Sequence, residues 1–243
     1  MSKSQEIQWL LKEKYGDIVS AEAERDIERI KQGEPVAYII GFVDFLGCKI
    51  DLSQRTLIPR PETEFWVEQA IADVKHSVLD KIKCLDMFAG SGCIGVAVLK
   101  NVPESIVDFA DLNESAIKQI EINCKLNNID QSRYNIIKSD MFKNIGKTYD
   151  YIFANPPYIA ENNKDEVQES ILKHEPHSAL FAGEDGLKYV EPFLHEAEKY
   201  LNPGGKIYME SGEDQKDAIE EIIKNVNFFQ DQFGKWRYSV LSK

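Results

Sequence analysis

Apolar positions change their spacing several times along this chain, and each change predicts an element. Near the N-terminus Ile7, Leu10 and Leu11 recur at helical spacing. Gly16 interrupts the pattern, and Ser20 is placed to cap a second helix that carries Ile27 and Ile30 and ends at Gly33. Strand-forming residues follow: Tyr38-Ile39-Ile40, then Phe42 and Phe45, then Cys48 to Leu52, punctuated by Gly41 and Gly47. A β-hairpin is the simplest arrangement of them. In Thr56-Leu57-Ile58-Pro59-Arg60-Pro61-Glu62-Thr63-Glu64 two prolines hold an arginine in stiff, extended backbone. A helix then opens at Glu62 or Thr63 and buries Val67, Ala70, Ile71 and Val74. An arginine fixed in this way can be presented to a ligand, and it can equally form a surface salt bridge.

From residue 82 the pattern alternates strand and helix, which predicts an α/β fold with a doubly wound, mostly parallel sheet. Strands are expected at 82–87, 106–110, 134–138, 151–154 and 206–210, with a helix over 114–128, another over 186–201 and another over 214–226. Phe228 and Phe229, with 236–241, read as a closing antiparallel hairpin turned at Gly234. Between residue 158 and the helix at 186 lies a polar loop of roughly two dozen residues, a length that is usually functional or mobile. The division expected is residues 1–60, short helices with a hairpin and connecting segment, and residues 61–243, the α/β domain.

Composition narrows the classes. The chain has 243 residues, 43% hydrophobic and 29% charged, which is ordinary for a globular protein with a full core. No apolar run reaches the length of a membrane span and no signal-peptide pattern opens the chain, so a cytoplasmic protein is expected. Cys48, Cys84, Cys93 and Cys124 are scattered, which suggests neither a zinc site nor a disulfide framework. A net charge of −12 repels phosphate backbones and lowers the expectation of nucleic-acid binding. His174 and His177 have no third partner in sequence and are read as loop surface, with no metal site expected.

The candidate chemistry sits at strand ends, where open α/β sheets bind ligands. The first strand of the alternating region runs into Phe88-Ala89-Gly90-Ser91-Gly92, where glycines let backbone approach a ligand and the next helix offers free N–H groups. Asp111 ends the following strand, about twenty residues on, the separation at which an acid accepts from a ribose. Asp140 ends the third, where it can accept from an adenine amine with Met141 or Phe142 over the base, or serve as a turn aspartate. The fourth strand ends in Asn155-Pro156-Pro157-Tyr158. The prolines stop the strand and hold Asn155 extended. An amide oxygen and a proline carbonyl can accept both hydrogens of a planar –NH2 group, with the tyrosine packed on it. The same four residues can also be no more than a strand-ending turn.

In that order, the glycine loop, Asp111, Asp140 and Asn155-Pro156-Pro157-Tyr158 resemble class I S-adenosylmethionine-dependent methyltransferases acting on amino groups. A closer match comes from Gly33-Glu34-Pro35-Val36-Ala37-Tyr38-Ile39-Ile40-Gly41, the segment from Leu57 to Glu64, Glu175-Pro176, Gly183-Glu184-Asp185-Gly186 and Leu201-Asn202-Pro203-Gly204-Gly205. These resemble the HemK/PrmC family of peptide chain release factor glutamine-N5 methyltransferases, over roughly residues 30 to 243.

The resemblance implies a seven-stranded Rossmann-like sheet. It implies methyl transfer from S-adenosyl-L-methionine to the amide nitrogen of the glutamine in a release factor's Gly-Gly-Gln motif, leaving S-adenosyl-L-homocysteine. Phe88, Ala89, Gly90, Ser91 and Gly92 would follow the methionine and ribose, Asp111 would hold the ribose, and Asp140 with Met141 would border the adenine. Asn155, Pro156, Pro157 and Tyr158, with Arg60, would receive the glutamine. An amide nitrogen is a weak nucleophile and the cofactor brings its own activated methyl, so the protein's task is position rather than a nucleophile or a metal. Two departures from the family are present. Phe88 stands where glycine is usual, although an Asp-x-Phe-x-Gly-x-Gly form occurs among amino-methyltransferases. The helical N-terminal region, which helps grip the release factor, is reduced to about thirty residues ahead of the match. The rival expectation is methylation of the adenine amine in DNA or RNA, which uses the same four residues.

Overall fold

The computed structural model describes residues 2–243. Its first two helices, α1 (Lys3–Tyr15) and α2 (Ala21–Lys31), follow the expected pattern. Ser2 and Ser20 accept from the backbone N–H of Gln5 and Ala23, and Gly16 ends α1 at φ 57°, a left-handed cap. Their apolar faces meet α3 (Val36–Ile40) in a small cluster built on Leu10, Ile30, Val36, Ile39 and Ile40. Here the structure corrects the expectation, because Tyr38-Ile39-Ile40 is a helical turn and not a strand. Five consecutive residues of this turn are buried, so their β-branched chemistry reports burial rather than pleating. The hairpin is shorter, β1 (Phe42–Phe45) against β2 (Cys48–Asp51), with antiparallel pairing from Phe42↔Asp51 to Phe45↔Cys48.

The hairpin is anchored by side chains of a distant helix. Asn123 and Asn127, four residues apart on α6 (Glu114–Leu126) and its C-terminal cap, each accept from and donate to the backbone of β2. Gln119, one turn earlier, accepts from Gln54 N–H and donates to Asp51. Carboxamides repeated at four-residue spacing thus do for the open edge of β2 what a neighbouring strand would do.

Helix α4 (Pro61–Lys75) begins one residue before the expected start, with Pro61 in its first turn, where a missing N–H is harmless. The main sheet then forms from β3 (Ile82–Met87), β4 (Ser105–Asp111), β5 (Tyr134–Lys138), β6 (Tyr149–Ala154), β7 (Leu201–Glu210), β8 (Val226–Gln230) and β9 (Trp236–Ser242). Its strand order is β5-β4-β3-β6-β7-β9-β8, with β9 antiparallel to both neighbours and the other pairs parallel. The expected seven-stranded, mostly parallel, doubly wound sheet is therefore present. Helices α4, α5 (Cys93–Asn101) and α6 pack one face, and α8 (Val190–Ala197) and α9 (Lys216–Ile222) pack the other.

The region after Tyr158 is not a structureless loop. It folds into a turn at Glu161–Glu166, α7 (Glu169–His174) and a turn at His177–Ala179, and a parallel bridge joins Ile159 to Phe181. The expected helices over 186–201 and 214–226 are likewise shorter, with single turns at Glu198–Tyr200 and Glu213–Gln215 flanking α8 and α9. Among the described residues no helix is long and apolar enough to cross a membrane.

Candidate active site

The chain lays β3, β4 and β5 outward in one direction and then returns to place β6 on the other side of β3. Strands β3 and β6 therefore flank the point where the winding reverses, and a crevice opens at their carboxyl ends. Met87 pairs with Ala154 in this register, so Phe88 and Asn155 leave the sheet side by side. A cleft of about 1220 Å³, counted to its open mouth, lies there. Its walls include Phe88, Ala89, Gly90 and Ser91 of the glycine loop, Asp111 at the end of β4, and Asp140 and Met141 after β5. On the other side stand Arg60, Asn155, Pro157 and the loop residues Pro176, Ser178 and Ala179. Gly92, Pro156 and Tyr158 are not part of the wall.

The glycine loop alternates left-handed residues: Phe88 at φ 59°, Gly90 at 54° and Gly92 at 76°. This geometry is why glycine suits all three places. Phe88 holds it at a cost of about 1–2 kcal/mol for a non-glycine residue. Its ring is pinned between Tyr189, 6.3 Å away, and Phe193, 5.9 Å away. At Gly92 a Cβ would come within 3.1 Å of Ile120 Cγ1. Asp111 ties the loop to β4: its Oδ2 accepts from Gly90 N–H at 2.9 Å and its Oδ1 from Asn113 N–H at 2.8 Å. Burial raises its carboxyl above the ordinary range, and the backbone N–H groups of Asn113 and Gly90 oppose that rise. Each oxygen retains lone pairs for further donors.

Asp140 precedes the turn Met141–Asn144 and forms an ion pair with Lys143, three residues on. Met141, like Phe88, is left-handed, at φ 47°. Two strained, non-glycine residues on one cleft are a mark of a functional site. Arg60 forms an ion pair, made with a buried carboxylate and not at the surface. It borders the cleft, and its guanidinium donates to Glu175 Oε1 at 2.6 Å while Glu175 Oε2 accepts from Ile58 N–H. Glu175, buried at the start of the Pro176–Ala179 segment, thereby ties that wall of the cleft to the Pro59-Arg60-Pro61 segment.

Asn155 is half-buried and faces the cleft. Among the described residues no backbone amide donates to the neighbouring Pro156 carbonyl. Behind Asn155 lies a polar network that the sequence reading missed. Asn155 Nδ2 is 3.4 Å from Thr63 Oγ1, and Thr63 in turn is 2.7 Å from Glu210 Oε2. Trp66 Nε1 donates to the same oxygen at 2.7 Å, and the Tyr158 hydroxyl to Oε1 at 3.1 Å. Tyr158 thus turns its phenol inward, and its main-chain oxygen accepts from Gln215 at 3.0 Å. Burial raises the Glu210 carboxyl, while donation from Thr63 and Trp66, the charge of Arg237 and donation from Tyr158 draw it down. The signal that could have found Glu210 is the one that found Asp111: an acid closing an apolar, buried strand. Asp86 in β3 is also fully buried. Its Oδ2 accepts from Gly95 N–H at 2.9 Å, its Oδ1 has no partner, and burial holds its carboxyl well above the usual range.

The comparisons with known proteins agree on one group. Residues 71–184 match the profile of the Methyltransferase small domain family. The chain is 37% identical over 235 residues to the release factor glutamine methyltransferase of Streptococcus pneumoniae, covering 93% of this chain and 82% of that protein. It is 40% identical over 197 residues to the protein of the same description from Thermodesulfovibrio yellowstonii, covering 81% and 70%. Among solved structures, a methyltransferase from Pyrococcus furiosus superposes with a TM-score of 0.57 at 18% identity, covering 88% of this chain and 95% of that one, a likeness of fold.

Proposed function

The chain belongs to the release factor glutamine methyltransferase family, and from that premise we propose that it methylates the side-chain amide nitrogen of the glutamine in a release factor's Gly-Gly-Gln motif, using S-adenosyl-L-methionine. The observation that carries this reading is Asn155 beside Phe88 at the reversal of the sheet, across one cleft from Asp111. The cleft suits that cofactor. Asp111, fixed by two N–H groups, offers spare lone pairs to a pair of ribose hydroxyls. Asp140 and Met141 border the place for the adenine, and the loop from Phe88 to Ser91 lies along the remainder. The cofactor supplies an activated methyl on a sulfonium.

The protein's own part is position and electrostatics. Asn155 Oδ1 and the Pro156 carbonyl accept the two hydrogens of the glutamine –NH2. That fixes the direction of the nitrogen lone pair and favours the positive charge the nitrogen gains. Pro157 and Arg60 border the path of the glutamine, and Tyr158 keeps Asn155-Pro156-Pro157 in place through Glu210. The proton leaves to water, so no buried base is required. Residues 2–60, joined to the α/β domain through α6, form the part that grips the release factor, and a cytoplasmic setting follows from that substrate.

The test is mass spectrometry of a release factor co-expressed with this chain. One added methyl on the Gly-Gly-Gln glutamine is expected. Its absence, or methyl incorporation into nucleic acid instead, would overturn the reading.

A further inference from the structure

The two ends of an asparagine side chain have nearly the same shape and opposite hydrogen-bonding sense. If Asn155 were flipped, it would present donors where the proposed reaction needs an acceptor. Its surroundings decide between the two orientations. The indole of Trp66 can only donate, and it does so to Glu210 Oε2 at 2.7 Å. Tyr158 donates to Oε1 at 3.1 Å, and the positive charge of Arg237 favours the ionised form of the same carboxyl. With donors on both oxygens, Glu210 acts as an acceptor. Thr63 Oγ1, 2.7 Å from Oε2, therefore points its one hydrogen at Glu210. Only lone pairs remain on that hydroxyl, so the Asn155 atom 3.4 Å from it is the donor Nδ2. Oδ1 is left for the cleft.

We infer that Thr63, backed by Glu210, is a positioning residue that sets the polarity of the Asn155 amide, so that its oxygen meets the incoming amino group. This rests on the reading of Asn155 as an acceptor given above. The relay starts at a group that cannot reverse, the indole N–H, and passes its direction through a carboxylate and a hydroxyl to the amide. It lies almost wholly out of solvent: Trp66, Thr63 and Glu210 are each no more than 2% exposed. Trp66 and Glu210 therefore have no bulk water to stand in for a missing partner, and Thr63 stands where this network meets the cleft. A site so polarised favours –NH2, which has two hydrogens to give, over a hydroxyl, which has one.

The test compares Thr63→Val, which removes the hydroxyl and leaves Trp66 and Tyr158 on Glu210, with Thr63→Ser, which keeps it. Methylation of a recombinant release factor by Thr63→Val is expected to lose about ten- to hundredfold in kcat, below the loss for a deleted first contact. Binding of S-adenosyl-L-homocysteine, measured by calorimetry, should hold within about twofold, and Thr63→Ser should restore most of the rate. In nitrogen-15 spectra the Asn155 side-chain amide should exchange its protons faster in Thr63→Val. A wild-type kcat in Thr63→Val overturns the inference, as does a Thr63→Ser enzyme equally slow. If the unaltered chain transfers no methyl to a release factor, the proposed function fails instead. The amide spectrum then decides alone, and an unchanged Asn155 signal overturns the inference.

Discussion

At one end of the cleft, Asp111 and the Gly90 N–H it accepts from lie 21 positions apart. At the other, the bonds from Asn155 to Thr63 and from Thr63 to Glu210 span 92 and 147 positions. The glycine-loop end is one βαβ unit, and its working parts are backbone N–H groups, left-handed turns and a single carboxylate. The asparagine end is assembled from the start of α4, the end of β6 and the end of β7, and its working parts are side chains. A unit made from neighbouring segments needs only local geometry and one strand pairing to be correct. A network collected from three distant elements needs the whole sheet to be wound first. The difference teaches that a cleft wall made of backbone and one carboxylate is encoded compactly, whereas a buried side-chain network behind an amide draws on the entire fold.

Breaking the asparagine end should have the largest effect. Asn155→Ala is expected to lose at least about 2 kcal/mol of transition-state stabilisation, seen as a fall in kcat, with cofactor affinity nearly unchanged. A methyl-transfer assay giving wild-type turnover would dismiss that role. Breaking the glycine-loop end should show in the other parameter. Asp111→Ala removes a charged acceptor and strands Gly90 N–H, so cofactor affinity should weaken by about 1.5–3 kcal/mol in a calorimetric titration. Turnover at saturating cofactor should suffer far less, and a collapse of kcat with affinity intact would erase the contrast between the two ends.

Trp66→Phe asks whether the distant network also supports the fold. It deletes the fixed donor on Glu210 and should lower unfolding free energy by about 1–3 kcal/mol, read from denaturant titration. No change in stability would mean that Thr63 and Tyr158 suffice for Glu210. The smallest effect is expected away from the cleft. Burial would raise Asp26, but bonds from Lys14, Tyr15 and Arg29 overcome it and lower its pKa to about 2. Bonds from Arg29, against burial and with help from Arg55, lower Glu34 to about 2 as well. For acids lowered in this way the stabilisation is complete above their ordinary pKa near 4 and is lost as pH falls toward 2. Hydrogen exchange in α1 and α2 should therefore quicken through that window ahead of the main sheet, and uniform acid loosening of the chain would contradict it.

What could be read from the residues alone follows from this contrast. The strand at 82–87 is β3 residue for residue, because a buried parallel strand is a short apolar run closed by turn residues, and 134–138 is β5, a half-exposed edge strand marked by Tyr134, Ile136 and Ile137. The glycine loop, Asp111 and Asn155-Pro156-Pro157-Tyr158 were legible because each is a local sequence placed at a strand end. Tyr38-Ile39-Ile40 was misread since a fully buried turn and a buried strand share one composition. The helices after residue 186 are shorter than their spacing implies for a related reason, that a helical spacing does not mark where single turns replace a helix.

The sequence by itself determined the α/β class, the strand ends that come to line the cleft and the chemistry suspected there, because those depend on period, composition and spacing along the chain. Only the tertiary structure decided that β6 returns beside β3 and so brings Phe88 next to Asn155. It also enlisted Thr63, Trp66 and Glu210 behind the amide, turned the Tyr158 phenol inward and paired Arg60 with Glu175. The physical reason is that a buried polar group must find its partner wherever the packed chain brings one, and that partner's distance in sequence leaves no local trace.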